Sequence, residues 1–243
     1  EHRRRKVSEK DLQKKAEDTE AARGFLSGFD DGINIIAEVK KASPSAGIIR
    51  EDFNPVDIAQ IYADHGAKAL SVLTDEHFFQ GHLDYLEQIK AQVKLPALRK
   101  DFTLAEYHLF EARAHGADAI LLIAAMLDPY QLKDYHDLAC ELGMTPLVEI
   151  HAKEELEPAL ALDLKLLGIN NRNLKTFKVD IQTSLQLVEN LEISAPIIAE
   201  SGLKDRHTLV KLHQAGINGF LIGESLMRAD DIGAKLQSFL KDS

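Results

Sequence analysis

The sequence is short of several features, and each shortage removes a class of protein. A single cysteine, Cys140, in 243 residues cannot form an internal disulfide, which excludes a disulfide-stapled secreted fold. Long apolar runs are missing. The longest, Ala119–Leu127, is far below the ~20 residues a membrane span needs. Positive charge is in deficit, with 29 Lys and Arg against 39 Asp and Glu and a net charge of −10. That balance argues against a general nucleic-acid binder. No signal-peptide pattern opens the chain at Glu1, so a cytoplasmic location is expected. No Gly/Ser/Pro-rich linker divides it.

What is present is an ordinary globular balance, 45% apolar and 28% charged, with enough length for one large core. Charge is uneven along the chain. Residues 1–23 carry eight basic and six acidic side chains, leaving −12 on the remainder. Arg3, Arg4, Arg5 and Lys6 form a small basic cluster. It reads either as a solvated helix start or as an anion or RNA contact, and no aromatics are interleaved to favour RNA.

From residue 33 onward, short apolar β-rich runs alternate with amphipathic helical stretches. Eight strands are predicted: Ile33–Lys40, Lys68–Leu73, Pro96–Lys100, Asp118–Ile123, Thr145–Ile150, Lys165–Asn170, Pro196–Glu200 and Asn218–Gly223. Helix starts are marked by Asn54-Pro55 and Asp128-Pro129, a cap followed by proline at the first helical position. Gly66, Gly116, Gly143 and Gly216 follow helical segments, where a left-handed residue is wanted. An internal echo supports the count. His65-Gly66-Ala67-Lys68-Ala69-Leu70 returns as His115-Gly116-Ala117-Asp118-Ala119-Ile120, and more loosely as Ala215-Gly216-Ile217-Asn218-Gly219-Phe220, at spacings of 50 and 100 residues. Eight βα units with strands apolar on both faces predict an α/β fold, a single (β/α)8 TIM barrel with an extra N-terminal helical segment. Residues 1–30 form the extension and 31–243 the barrel, all one domain. An open doubly wound sheet is the rival, but no GxGxxG follows the first strand.

Barrel enzymes carry their chemistry at the C-terminal ends of the strands. Five of the eight predicted strands end in polar side chains. Glu38 and Lys40 share a face with Ile36, Lys100 with Leu98, and Glu149 with Leu147. The sixth strand ends Asn170-Asn171-Arg172 and the seventh Glu200-Ser201-Gly202. One or two such tips would be solvated ends. Five, of both signs, point to acid/base chemistry in a shared mouth. Glycine-containing loops at Ser201-Gly202 and Gly223-Glu224-Ser225 each precede a helical stretch, and Ser43-Pro44-Ser45-Ala46-Gly47 follows the first strand. Together they suggest a phosphate site built on backbone N–H groups. Other constellations carry less. The histidines form no HExxH or HxH pair, and His151 and Glu155 read as an i,i+4 surface pair on a helix. Cys140, beside Leu138 and Leu142, reads as inert packing. Phe78, Phe79 and Phe102 fall in loops after strands, where they are either core or substrate lining.

Ile36-Ala37-Glu38-Val39-Lys40-Lys41-Ala42-Ser43-Pro44-Ser45 resembles the first-strand signature of the indole-3-glycerol phosphate synthase family. The resemblance continues through Ser71–Asp75, Leu98–Phe102, Gly168–Arg172, Ala199–Gly202 and Leu221–Met227, in the family's order. Ala46 departs from it, standing where many relatives carry lysine. The resemblance implies a (β/α)8 lyase of tryptophan biosynthesis. It would close 1-(2-carboxyphenylamino)-1-deoxyribulose 5-phosphate to indole-3-glycerol phosphate, with loss of CO2 and water and without metal or organic cofactor. It also implies roles. Lys100 is the general acid at the ribulose carbonyl, Lys40 lies near the substrate carboxylate, and Glu149 does acid/base work in dehydration. Glu38 and Asn170 orient these groups. Arg172, Glu200 and Ser201 add polar contacts. Ser43, Gly202, Gly223 and the Glu224 backbone hold phosphate, and Phe79, Phe102, Leu121 and Leu174 line the aromatic ring. The expected partner is a small phosphorylated substrate, with no nucleic acid and no membrane. The chain itself is expected as a monomer or weak homo-oligomer, with possible contact to other enzymes of the pathway. A Schiff-base aldolase or sugar-phosphate isomerase using Lys100 as nucleophile, and a non-catalytic phospho-ligand or RNA-binding barrel, are the alternative readings.

Overall fold

The computed structural model describes residues 7–241. The basic cluster Arg3–Lys6 lies outside the described residues. Eight parallel strands close into a barrel, each hydrogen-bonded to its neighbours in sequence and the last to the first. They are β1 (Asn34–Val39), β2 (Ala69–Leu73), β3 (Ala97–Lys100), β4 (Ala119–Ile123), β5 (Thr145–Ile150), β6 (Leu166–Asn170), β7 (Ile197–Glu200) and β8 (Gly219–Ile222). The predicted strands are all present, most of them trimmed by a residue at one end or both. A two-residue ribbon, Ala42–Ser43 against Gly47–Ile48, was not foreseen. It turns through Gly47 at φ 65° and shapes the loop after β1.

The extension forms α1 (Glu9–Asp18), capped by the Ser8 side chain. Leu12 and Ala16 bury against Tyr107 and Ala114 of α4 (Glu106–Ala114). Around the barrel run α2 (Pro55–Asp64), α3 (Asp84–Gln92), α5 (Pro129–Glu141), α6 (Leu156–Leu160), α7 (Gln182–Val188), α8 (Arg206–Gln214), α9 (Glu224–Met227) and α10 (Ile232–Leu240). The α2 start follows its sequence signal. Asn54 Oδ1 accepts from Val56 N at 3.0 Å and Asp57 N at 3.3 Å, with Pro55 at the first helical position, an arrangement worth about 1 kcal/mol. Gly66, Gly116, Gly143 and Gly216 all take left-handed φ, between 77° and 104°. No described helix is long and apolar enough to cross a membrane.

Two apolar layers result. Outward-facing strand residues such as Ile35, Ala37, Leu70, Ile120 and Val148 pack under the helices. Inward-facing residues, including Ile36, Ala69, Leu98, Leu121, Leu147, Leu166, Ile198 and Leu221, fill the barrel. Phe25, fully buried, joins that inner cluster with Leu26 and Phe29 of the extension. The extension is fastened near the N-terminal ends of the strands. Asp118, fully buried, accepts from Arg23 N at 2.7 Å, Lys90 Nζ at 2.6 Å and Ala97 N at 2.7 Å. The opposite end, where the strands terminate, stays open.

Candidate active site

Two positions up from an inward apolar residue, the side chain again points inward, but at the mouth. This rule places Glu38 above Ile36, Lys100 above Leu98, Glu149 above Leu147 and Glu200 above Ile198. Adjacent-strand register then brings them together: Glu149 pairs with Gly168, and Asn170 with Glu200. An open cavity of about 1270 Å³ covers this floor. All of Glu38, Lys40, Lys100, Glu149, Asn170, Glu200 and Ser201 line it, as do Ser43, Arg172, Gly202, Gly223 and Glu224. Phe79, Phe102, Leu121 and Leu174 line it too. Every site residue expected from the sequence therefore meets in one space.

Lys100 is the hub. Its Nζ donates to Glu149 Oε2 at 2.8 Å and to Glu200 Oε2 at 2.6 Å. Burial opposes the ammonium, but the charges of Glu149, Glu200 and Glu38 outweigh it, and its pKa lies above the ordinary lysine value. The two carboxyls diverge. Burial also opposes a charged Glu149, yet Lys100 and the nearby His151 hold its pKa well below the usual carboxylate range. Glu200 goes the other way, to about 8, through burial and the adjacent Glu149 charge. The two carboxyls are thus driven apart, Glu149 toward its ionised form and Glu200 toward its protonated form. Lys40 Nζ meets Glu38 Oε2 at 2.7 Å, a second ion pair on the same floor. The backbone oxygen of Glu38 accepts from the buried Tyr62 hydroxyl at 3.1 Å.

The orienting groups act from the flanks. Asn170 Nδ2 donates to Glu149 Oε1 at 3.2 Å, while Asn170 Oδ1 accepts from Arg172 N at 3.0 Å. The loop after β7 turns through Ser201 and Gly202, both left-handed at φ 64° and 77°. For serine that conformation costs on the order of 1–3 kcal/mol. Asn171 holds it, donating from Nδ2 to Ser201 O at 3.1 Å while its Oδ1 accepts from the Ser184 hydroxyl at 2.8 Å. After β8, a Cβ on Gly223 would lie 2.2 Å from Glu38 Oε2, so this position has to lack a side chain. At the aromatic side, Phe78 is 59% exposed and meets Phe102 edge to face, with ring centroids 6.4 Å apart.

Two features of the site escaped sequence reading. His151 is not on a helix surface. It follows β5 in a loop, its side chain is 6% exposed, and its Nε2 lies 3.1 Å from Glu149 Oε1. Glu155 folds back on a short 3-10 turn, Lys153–Glu155, and accepts from His151 N at 2.7 Å. The i,i+4 spacing was real, but a tight loop produced it. Gly168 is the other. It leaves space beside Glu200 that any side chain would take. Cys140 is half-buried on α5, and burial pushes its thiol pKa up, as expected of an inert packing residue. Among the described residues no group of three or more His, Cys, Asp or Glu side chains is placed to hold a metal ion.

Comparison with known proteins decides the family. The family model described as indole-3-glycerol phosphate synthase matches residues 1–239. The chain belongs to the indole-3-glycerol phosphate synthase family. An indole-3-glycerol phosphate synthase of Legionella pneumophila (strain Paris) is 54% identical over 208 residues, covering 86% of this chain and 81% of that protein. One of Albidiferax ferrireducens is 54% identical over 202 residues, covering 83% and 76%. Among solved structures, a mutant tryptophan synthase alpha-subunit from the hyperthermophile Pyrococcus furiosus matches with a TM-score of 0.64 at 15% identity, over 87% of this chain and 98% of that one. An N-acetylmannosamine-6-phosphate 2-epimerase from Clostridium perfringens gives 0.64 at 17% identity, over 85% and 92%. These two share the barrel alone. The sequence resemblance to the indole-3-glycerol phosphate synthase family is thus borne out over nearly the whole chain.

Proposed function

We propose that this chain converts 1-(2-carboxyphenylamino)-1-deoxyribulose 5-phosphate to indole-3-glycerol phosphate, CO2 and water, as a carboxy-lyase of tryptophan biosynthesis. The observation that carries the assignment of roles is the Lys100 ammonium seated within hydrogen-bond distance of both Glu149 and Glu200 at the floor of the cavity. In ring closure the aromatic carbon bearing the carboxylate attacks the ketone carbon. The ketone oxygen becomes an alkoxide, a stronger base than an amine, so even a stabilised ammonium gives up its proton to it. Carbon dioxide then leaves, and its bonding pair restores the aromatic ring. In dehydration the new hydroxyl departs as water with a proton from an acid, and Glu149 as base removes a proton from the substrate. Two protons are given and one is taken, which matches the single proton that loss of CO2 from a carboxylate consumes. Protonated Glu200 fits the second acid, lying on the same lysine.

Placement supports the remaining roles. Lys40, anchored by Glu38, faces the substrate carboxylate from β1's end, and Asn170 fixes the Glu149 carboxylate. The Ser43 hydroxyl with the amides of Gly202, Gly223 and Glu224 takes the phosphate, and Arg172 and Ser201 add polar contacts beside it. Phe79, Phe102, Leu121 and Leu174 give the aromatic ring an apolar slot across the cavity. A phosphate anchor at one side and a slot at the other hold the reacting carbons together. A nucleophilic Lys100 would need a neutral amine, which the two adjoining carboxyls oppose. The same reading places the enzyme in the cytoplasm as a monomer or weak homo-oligomer. An indole-fluorescence assay tests the assignment: the folded chain is expected to turn over the substrate, and no turnover by a chain with its barrel intact would defeat it.

A further inference from the structure

One buried ionisable side chain at the mouth has no part in the chemistry above. His151 does not line the cavity, yet its ring lies between two carboxylates. Nε2 is 3.1 Å from Glu149 Oε1, and Nδ1 is 3.4 Å from Glu155 Oε2. Both contacts are within ion-pair reach, and neither ring nitrogen has another partner. A neutral imidazole would turn a lone pair toward one of the two carboxylates. Only the imidazolium offers an N–H to both. The ring is also fixed from its own backbone, because His151 N donates to the Glu155 carboxylate at 2.7 Å.

We infer that His151, clamped by Glu155, is a positioning residue for Glu149: it occupies Oε1 with positive charge and leaves Oε2 as the oxygen presented to Lys100 and to substrate. Asn170 Nδ2 donates to Oε1 at 3.2 Å, so one oxygen of Glu149 is shared by His151 and Asn170 while the other faces Lys100. The ionisable groups acting on the ring are Glu149 from β5 and Glu155 from the following turn. Lys100 from β3 and Glu200 from β7 meet it through Glu149. Burial works against the imidazolium, but the two carboxylates prevail and hold its pKa up to about 9. The charge is therefore present at neutral pH, where it favours the ionised form of Glu149.

The inference rests on Glu149 acting as the base, and the test separates the two. The full chain is compared with Glu149→Gln, His151→Asn and Glu155→Gln for kcat and KM across pH. Glu149→Gln is expected to abolish turnover. In His151→Asn, kcat should fall about tenfold with KM nearly unchanged, because the Glu149 carboxylate loses the cation that orients it. Glu155→Gln should lower kcat in the same way by less. An inactive Glu149→Gln beside a His151→Asn variant whose kcat is unchanged overturns the positioning role alone. A fully active Glu149→Gln overturns both. Nitrogen-15 NMR of the imidazole rings gives a check that needs no variant. His151 should remain doubly protonated through pH 8, and a neutral ring at pH 7 would refute the inference.

Discussion

Gly168 and Glu200 stand on adjacent strands, and the missing side chain of the first makes room for the carboxyl of the second. A Cβ on Gly168 would lie 2.7 Å from Glu200 Oε1 and 3.1 Å from Leu147 Cδ1. Gly168→Ala is therefore expected to push Glu200 off Lys100 and lower kcat by about tenfold or more, with a smaller change in KM. Steady-state kinetics by indole fluorescence would check this. An unchanged kcat would show that Glu200 does its work from elsewhere.

Lys100→Ala removes the proposed acid and the cation shared by two buried carboxyls. General acid catalysis is typically worth about 10²–10⁴-fold, and kcat should fall by at least that. Binding of a phosphate ligand should survive, since the phosphate loops do not depend on Lys100. The variant should also be less stable at high pH than at low pH, because Glu149 and Glu200 then repel without a cation between them and folding favours their protonated forms. Calorimetric titration and melting curves would reveal either failure.

Stability should decline from neutral to alkaline pH. Glu200 is raised to about 8 from its ordinary value of 4.5, so across that interval the folded chain holds a proton the unfolded chain has released. Its contribution is full below the lower value and disappears as pH rises through about 8. His151, raised to about 9 from 6.5, acts in the same sense over its own window. Glu149, lowered, contributes in the opposite sense, and its share is lost only as pH falls below the ordinary glutamate range. Urea midpoints should drop between pH 6.5 and 9, and less steeply in Glu200→Gln. Equal slopes for the two proteins would contradict the assignment to Glu200.

Far from the mouth, Asp118→Ala should separate stability from activity. It leaves Lys90 without its carboxylate and strips an acceptor from the amides of Arg23 and Ala97. Breaking a buried pair of this kind costs about 3–5 kcal/mol. Urea unfolding should register that loss, while kcat below the melting range stays within about twofold of the parent protein. A large kcat effect would mean that the lower end of the barrel communicates with the upper.

The barrel was legible because its signals are local and repeated. Helix end, left-handed glycine and apolar strand recur at fixed spacing, and strands apolar on both faces admit few architectures. The floor of the site was legible for the same reason: side chains two apart share a face, which linked Glu38 to Ile36 and Lys100 to Leu98. That rule also joins His151 to Glu149, and applying it past the end of β5 would have found the buried imidazole. The i,i+4 spacing to Glu155 suggested a helix instead, and spacing alone cannot distinguish a helical turn from a loop folding back. The ribbon at Ala42–Ser43 and Gly47–Ile48 is too short for any periodicity to show. The opposed pKa shifts of Glu149 and Glu200 arise from burial and from each other's charge, which no stretch of sequence displays.

The seating of Phe25 with Leu26 and Phe29 in the inner cluster packs the barrel at the end where its last strand begins, Phe29 lying against Gly219, and leaves the mouth as the way in and out among the described residues. On the proposed reaction, carbon dioxide, water and indole-3-glycerol phosphate must all leave through that mouth. The two small molecules pass through a throat the large product still fills. Traffic through that throat, rather than bond-making at its base, then becomes the natural candidate for the slow stage of the cycle.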